Sequence, residues 1–200
     1  WREQPELVYL DSAASCQGPD AVLERYLHYY QYEHANAHRG SYPLAQQATH
    51  LLENARVQMA DWIGASADTL VFTSSATHSL NLLANGLQLD WQAGDEIVVT
   101  RAEHHSNLLP WQRLAERYQL RLRWLDLDAE TGTLRDDWQT HITARCKLLA
   151  MTLASNVTGQ LLPAAAVVAY AKRQGAVTVV DAAQAVSSVP IDVAQLGCDA

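Results

Sequence analysis

The feature that most constrains the fold is a regular alternation, from Thr69 onward, of short apolar runs with longer stretches of helical periodicity. The runs are rich in β-branched residues, as buried strands are. We predict strands over 69–73, 96–100, 120–125, 147–153 and 177–181, and helices over 77–87, 106–118, 134–142 and 164–174. Because strands alternating with helices form βαβ units, the sequence predicts an α/β fold with three α/β/α layers and a mostly parallel sheet.

The first 64 residues follow a different pattern. An apolar run over 7–11 predicts one more strand, and apolar residues at helical spacing predict helices from Asp20 to about 32 and from about 43 to 63. We expect residues 1–64 to pack on the domain formed by residues 65–200 and to contribute to its site and to a dimer.

Composition excludes several classes of protein. Lys and Arg total 14 against 22 Asp and Glu, a net charge of −8, which argues against affinity for nucleic acid or an anionic membrane surface. The three cysteines are far apart and lack CxxC spacing, so neither a disulfide framework nor a zinc ribbon is indicated. With no signal-like start and no apolar run of transmembrane length, the sequence predicts a cytoplasmic protein. We expect Cys16 to be a buried structural residue.

Polar side chains gather at the ends of four predicted strands. Hydroxyl-rich residues 73–77 lie at the end of the strand predicted over 69–73. His104, Asn156 and Asp181 lie at or just after the ends of the strands predicted over 96–100, 147–153 and 177–181. Ligands of open α/β sheets bind outside the carboxyl ends of the strands, so these groups are expected to share one crevice.

Each of these groups also has an ordinary structural explanation. Ser and Thr commonly cap helices, and an Asp after a strand often does the same. A metal site is disfavoured, since His34 and His38 lie in a segment without a helical stripe and HExxH is absent. The absence of GxGxxG and of a P-loop lysine disfavours dinucleotide and triphosphate binding.

Taken together, the groups suit pyridoxal 5′-phosphate. Its phosphate needs N–H donors, such as those at the helix start near Thr77. Its ring nitrogen stays protonated when an anion such as Asp181 pairs with it. An imidazole such as His104 can transfer protons near neutral pH.

Several motifs resemble those of a known family: YLDSAAS from Tyr9, HRG from His38, EHHSNLLPWQ from Glu103, SNVTG from Ser155 and VDAAQAV from Val180. They resemble the large domain of cysteine desulfurases, which are class V aminotransferase relatives among the fold type I pyridoxal-phosphate enzymes. The most specific are residues 103–112 and residues 181–186, and together they favour the branch of SUF-type desulfurases and selenocysteine lyases. The likeness extends from about Tyr9 to Ala200.

The resemblance implies roles for individual residues. Asp181 would pair with the pyridine nitrogen, and His104 would stack on the ring and shuttle a proton to the substrate. The other implied contacts are Gln184 to the ring hydroxyl, Ala76 and Thr77 to the phosphate, Asn156 beside the ring and the substrate carboxylate, and Ala13, His38 and Arg39 at the site entrance or toward a partner subunit.

The resemblance also implies an activity and partners. The substrate would be L-cysteine or selenocysteine, and the products would be alanine and a persulfide on the enzyme. The persulfide would supply sulfur for iron–sulfur cluster assembly. A homodimer and a SufE-like sulfur-acceptor protein are expected, with no metal in the site. Other class V chemistry (an aminotransferase, an epimerase or a kynureninase-like hydrolase) and a non-catalytic module that binds a phosphorylated ligand stay open as alternatives.

The sequence departs from the family pattern in two respects. Ser74 to His78 replaces the family's Arg-Gly-Thr-Thr-Glu, which removes one phosphate hydroxyl and exchanges a carboxylate for an imidazole. The family's cofactor-binding lysine and its persulfide cysteine would follow Ala200, and Lys147 and Lys172 are poorly placed as substitutes. We therefore expect the 200 residues by themselves to be inactive.

Overall fold

A computed structural model describes residues 4–200 of the chain. The chain divides into two compact units, the first ending at Met59 and the second running from Ala60 to Ala200. The expected packing of residues 1–64 on the remainder stays a prediction.

The first unit is helical. Helix α1 (Asp20–His28) continues into a π-helical turn (Tyr29–Glu33), and α2 spans Pro43–Trp62, with all but its last three residues in this unit. The predicted strand over 7–11 is wrong, since these residues adopt no strand. Val8 and Leu10 are exposed there, so the apolar run does not gain the burial that stabilises a strand within a sheet.

The second unit contains a parallel sheet. Its strands are β1 (Glu96–Thr100), β2 (Arg121–Leu125), β3 (Cys146–Thr152) and β4 (Val177–Asp181). They lie in the order β2-β1-β3-β4, and each adjacent pair is parallel. The predicted mostly parallel sheet is confirmed.

One predicted strand does not join this sheet. A 3-10 turn occupies Ala67–Thr69, and residues 70–73, which follow it, lie outside the four strands of the sheet. Val71 and Phe72 are exposed in this segment. The strand predicted over 69–73 is therefore wrong, since these apolar residues do not gain the burial that a sheet would give them.

Helices precede, separate and follow the strands of the second unit. They are α3 (Ala76–Gly86), α4 (Leu109–Tyr118), α5 (Ala164–Arg173) and α6 (Val193–Leu196), with α4 between β1 and β2 and α5 between β3 and β4. The predicted helix over 134–142 is wrong, because only the 3-10 turn Trp138–His141 forms there. Its first residues pair with the segment after β2 instead: Leu134 forms an antiparallel bridge with Leu127, and the Arg135 N–H donates to the Asp126 carbonyl.

The sheet has a core on each face, as the period-2 alternation of a strand requires. Ile97 and Val99 of β1 pack with Leu80 of α3 and Trp111 of α4 on one face. On the other face, Val98 packs among residues that include Leu149, Met151, Val167 and Val168. Helices thus cover both faces of the sheet, and the predicted three-layer α/β/α architecture is confirmed.

One cysteine lies in a different environment from the one expected. Cys16 is exposed, so the expectation of a buried residue is wrong. It lies in the loop before α1, a helix that buries none of its residues in the described chain. Between residues 4 and 200, no helix has the length and apolar character needed to cross a bilayer.

Candidate active site

The carboxyl ends of β3 and β4 place Asp181 at the edge of the sheet. Asp181 is the last residue of β4 and pairs in register with Thr152, the last residue of β3. Its carbonyl accepts from the Leu153 N–H at 2.8 Å, and its Oδ1 accepts from the Ala183 N–H at 3.0 Å. These bonds hold the carboxylate at the strand end.

Asp181 and the start of α3 line one cleft. The cleft has a volume of about 730 Å³, and Thr73, Ala76 and Ser79 line it together with Asp181. Most of the remaining lining is apolar, including Leu83 of α3. The structure thus brings together two of the polar groups that the sequence assigns to a single crevice.

The first turn of α3 has two amides available for an anion. Ser75 caps the helix by accepting from the His78 N–H at 3.1 Å, and Ser74 Oγ lies 3.0 Å from His78 Nδ1. Within residues 4–200, no acceptor is bonded to the N–H groups of Ala76 and Thr77. Free amides at the positive end of a helix are the donors that a phosphate requires, so this turn fits the phosphate of the predicted cofactor.

His104 is joined to the same helix start through a serine. Ser106 donates its backbone N–H to His104 Nδ1 at 3.1 Å, and its Oγ lies 2.9 Å from that nitrogen. The same Oγ lies 2.7 Å from Oγ1 of Thr77. In the sequence, Ser106 is only the first residue of the helix predicted over 106–118, so this connection between two predicted site residues was missed.

A second residue that sequence reasoning missed is Glu103. Although the residue retains some solvent exposure, its carboxylate is enclosed and accepts three hydrogen bonds. Oε1 accepts from Thr100 Oγ1 at 2.5 Å and from the Thr152 N–H at 2.8 Å, and Oε2 accepts from Asn107 Nδ2 at 2.6 Å. The carboxylate therefore ties the ends of β1 and β3 to the turn that carries His104.

Burial and hydrogen bonding act in opposite directions on Glu103. Desolvation raises its pKa from 4.5 to about 7, helped by the negative charge of Asp181 and opposed by the three donors. The carboxyl group therefore changes charge near neutral pH, within electrostatic reach of Asp181. The motif around Glu103 gave no signal of this role, since burial of the group depends on tertiary packing.

A tryptophan fixes the orientation of this network. Trp111 is fully buried, and its Nε1 donates to Asn107 Oδ1 at 2.9 Å. Because an indole N–H can only donate, the amide of Asn107 must direct its NH₂ group to Glu103.

The remaining predicted residues of the second unit follow strand ends. Asn156 is exposed in the turn after β3, and Gln184 is partly buried in the turns after β4. Neither lines the cleft that contains Asp181. Their proposed contacts with cofactor or substrate stay predictions.

The predicted residues of the first unit occupy exposed turns. Ala13 and Arg39 are exposed. His38 has a left-handed backbone with φ of 72°, donates its N–H to Thr49 Oγ1 at 2.8 Å, and places Nε2 3.7 Å from Glu53 Oε1. Their place at a site entrance likewise stays a prediction.

Of the two lysines, one is hydrogen-bonded to its neighbours and the other lies within a strand. Lys172 donates to Asp199 Oδ1 at 2.8 Å and to the Gly197 carbonyl at 2.9 Å, and Lys147 is the second residue of β3. In the part of the chain from 4 to 200, no group of three or more His, Cys, Asp or Glu side chains is arranged to hold a metal ion.

Comparison with known proteins gives consistent matches. The model of the family described as aminotransferase class-V matches residues 8–200. A probable cysteine desulfurase of Pseudomonas putida is 46% identical over 192 residues, which is 96% of this chain and 48% of the relative. The chain therefore spans about half the length of the curated relatives it matches.

Solved structures agree with this result. The apo cysteine desulfurase of Thermococcus onnurineus superposes with a TM-score of 0.92 at 40% identity, over 97% of this chain and 48% of that one. A mutant of C-DES with glycine covalently linked to its PLP cofactor superposes with a TM-score of 0.84 at 25% identity, over 99% and 52% of the two chains.

Proposed function

Because the chain belongs to the aminotransferase class-V family, we propose that the whole protein is a pyridoxal 5′-phosphate-dependent cysteine desulfurase. The observation that carries the proposal is the shared cleft of Asp181 and the start of α3, where a carboxylate and a helix start with unbonded amides occur together. Relatives named cysteine desulfurase, 44–46% identical to this chain, support the choice of reaction.

The residues present fit the cofactor at both of its charged ends. The free amides of Ala76 and Thr77 would hold the phosphate, and the carboxylate of Asp181 would hold the ring nitrogen in its protonated form. When bound, the cofactor supplies an electron sink for the carbanion formed at the substrate α-carbon.

Other side chains would orient the reactants and move protons. His104 would lie against the ring and carry a proton to or from the substrate, since imidazole exchanges protons near neutral pH. The further assignments are Gln184 to the ring hydroxyl, Asn156 to the substrate carboxylate, and Ala13, His38 and Arg39 at the entrance.

The proposal extends to substrate and partners. The substrate is L-cysteine, with selenocysteine as a second candidate, and the products are L-alanine and a persulfide. We further propose a homodimer in the cytoplasm that passes sulfur to a SufE-like acceptor for iron–sulfur cluster assembly. The cofactor-binding lysine and the thiol that receives sulfur would come from the part of the whole protein outside these 200 residues.

The test is an assay of the whole protein with L-cysteine. We expect alanine and sulfide, in the presence of a thiol reductant, in equal amounts, together with an absorption band of bound cofactor that survives dialysis. Bound cofactor with transamination or racemisation and no sulfide would favour another class V reaction. A protein that never binds the cofactor would overturn the proposal.

A further inference from the structure

The hydroxyl of Ser106 lies between two groups that the proposed function assigns to different tasks. On one side is Thr77 Oγ1 at 2.7 Å, beside the proposed phosphate-binding amides. On the other is His104 Nδ1 at 2.9 Å. Thr77 and Ser106 are 29 positions apart in the sequence, so this hydrogen bond links the start of α3 to the turn that follows β1.

The backbone of Ser106 already determines one property of His104. A peptide N–H can only donate, so the 3.1 Å bond from Ser106 N–H requires a lone pair on His104 Nδ1. A neutral imidazole with an unprotonated Nδ1 carries its hydrogen on Nε2. In the absence of any other influence, the turn thus selects the Nε2-protonated form.

The two hydroxyls of Thr77 and Ser106 have only two hydrogens to share among their contacts. When Thr77 donates to Ser106, the Ser106 hydrogen is free to point at His104 Nδ1. Thr77 can instead donate its hydroxyl hydrogen to an oxygen of a bound ligand. The hydrogen bond between Thr77 and Ser106 is then kept only if the Ser106 hydroxyl donates to Thr77 Oγ1. The Ser106 oxygen then presents a lone pair, rather than a hydrogen, to Nδ1.

From this geometry we propose that Ser106 is a positioning residue that makes the protonation of His104 Nδ1 depend on whether a phosphate oxygen accepts the Thr77 hydroxyl. This inference rests on the proposed function, because it takes the phosphate to be that of the cofactor. Phosphate binding removes one donor from Nδ1 and supplies an acceptor in its place. It therefore favours a hydrogen on Nδ1, which would donate to Ser106 Oγ in place of the bond that Nδ1 accepts from the Ser106 N–H.

The test measures the ring nitrogens of His104 directly, in the whole protein prepared without cofactor. The protein carries ¹⁵N-labelled histidine, and the His104 signals are identified by their loss in His104→Gln. Pyridoxal 5′-phosphate and pyridoxal are added separately. The two ligands share the same ring, so the difference between their effects on Nδ1 isolates the phosphate.

We expect Nδ1 to shift toward the resonance of a protonated nitrogen with pyridoxal 5′-phosphate and much less with pyridoxal. Ser106→Ala keeps the backbone N–H but removes the hydroxyl, so the difference between the two ligands should disappear. Ser106→Thr keeps a hydroxyl and should restore it. Ser106 is partly buried in a turn, and its truncation removes a single oxygen.

The outcomes separate this inference from the proposed function. If Ser106→Ala binds pyridoxal 5′-phosphate and shows the same phosphate-dependent shift as the parent, the role of Ser106 is refuted while the proposed function stands. If the absorption spectrum shows no bound cofactor in the parent protein, the proposed function fails, and the inference fails with it.

Discussion

Replacing the buried carboxyl of Glu103 by an amide should remove a large pH dependence of stability. The pKa of Glu103 rises from 4.5 to about 7 on folding, mainly because its carboxylate is desolvated. At ~1.4 kcal/mol per tenfold change in proton affinity, this rise corresponds to about 3 kcal/mol. Because the folded state binds the proton more tightly, the destabilisation is absent below the unfolded pKa, grows as the pH rises, and is complete above the folded pKa.

The assay is urea unfolding of the whole protein at several pH values from about 5 to about 8. Over this range the free energy of unfolding of Glu103→Gln should rise relative to the parent by about 2–3 kcal/mol. At the acidic end the variant should be the less stable, since its NH₂ group meets either the Asn107 NH₂ group or another donor, and an unsatisfied buried donor costs about 1–3 kcal/mol.

Glu116→Gln is the matched control, because it makes the same chemical change at an exposed position of α4. Its stability relative to the parent should not vary with pH in this range. If the difference between Glu103→Gln and the parent is equally independent of pH, the carboxyl of Glu103 does not titrate near neutrality and the reasoning is wrong.

Three further predictions test other contacts. In the whole protein, Asp181→Ala should lose the absorption of the protonated cofactor and most activity, since removing one partner of a buried ion pair costs about 3–5 kcal/mol; near-normal cysteine desulfurase rates would contradict the assignment. Asp199→Ala should lower the free energy of unfolding by about 1–3 kcal/mol, because the Thr178 N–H and hydroxyl lose their acceptor, and Asp137→Ala at an exposed position should not. Cys146, whose pKa burial raises to about 12, should resist a disulfide reagent near pH 8 until urea is added, and rapid labelling in the native state would contradict its burial.

The fold was largely predictable from local patterns. The strands over 96–100 and 177–181 have the predicted ends, because β-branched runs between polar turns determine them almost alone. The wrong predictions concern segments whose secondary structure depends on contacts with residues distant in the sequence. Residues 69–73 lie outside the sheet, with Thr69 in a 3-10 turn, and Leu134 forms a bridge to Leu127 in place of the predicted helix. The motif-based resemblance to cysteine desulfurases is confirmed at the level of the family.

The site was predictable in its parts and not in its connections. Strand topology predicts that Asp181 and the turn at 73–77 approach each other, since both follow strand ends in the sequence pattern, and they do line one cleft. No pattern predicts that Ser106 contacts Thr77 or that Glu103 contacts Thr152, because both bonds depend on distances between separate elements.

The exposure of Cys16 has a practical consequence for anyone who measures sulfur on this protein. A solvent-accessible thiol exchanges with persulfides and polysulfides whether or not it takes part in turnover. Radiolabel or mass that accumulates on the polypeptide during incubation with cysteine will therefore include whatever Cys16 scavenges. Peptide-level mapping, or a Cys16→Ser background, separates that bystander chemistry from sulfur in transit.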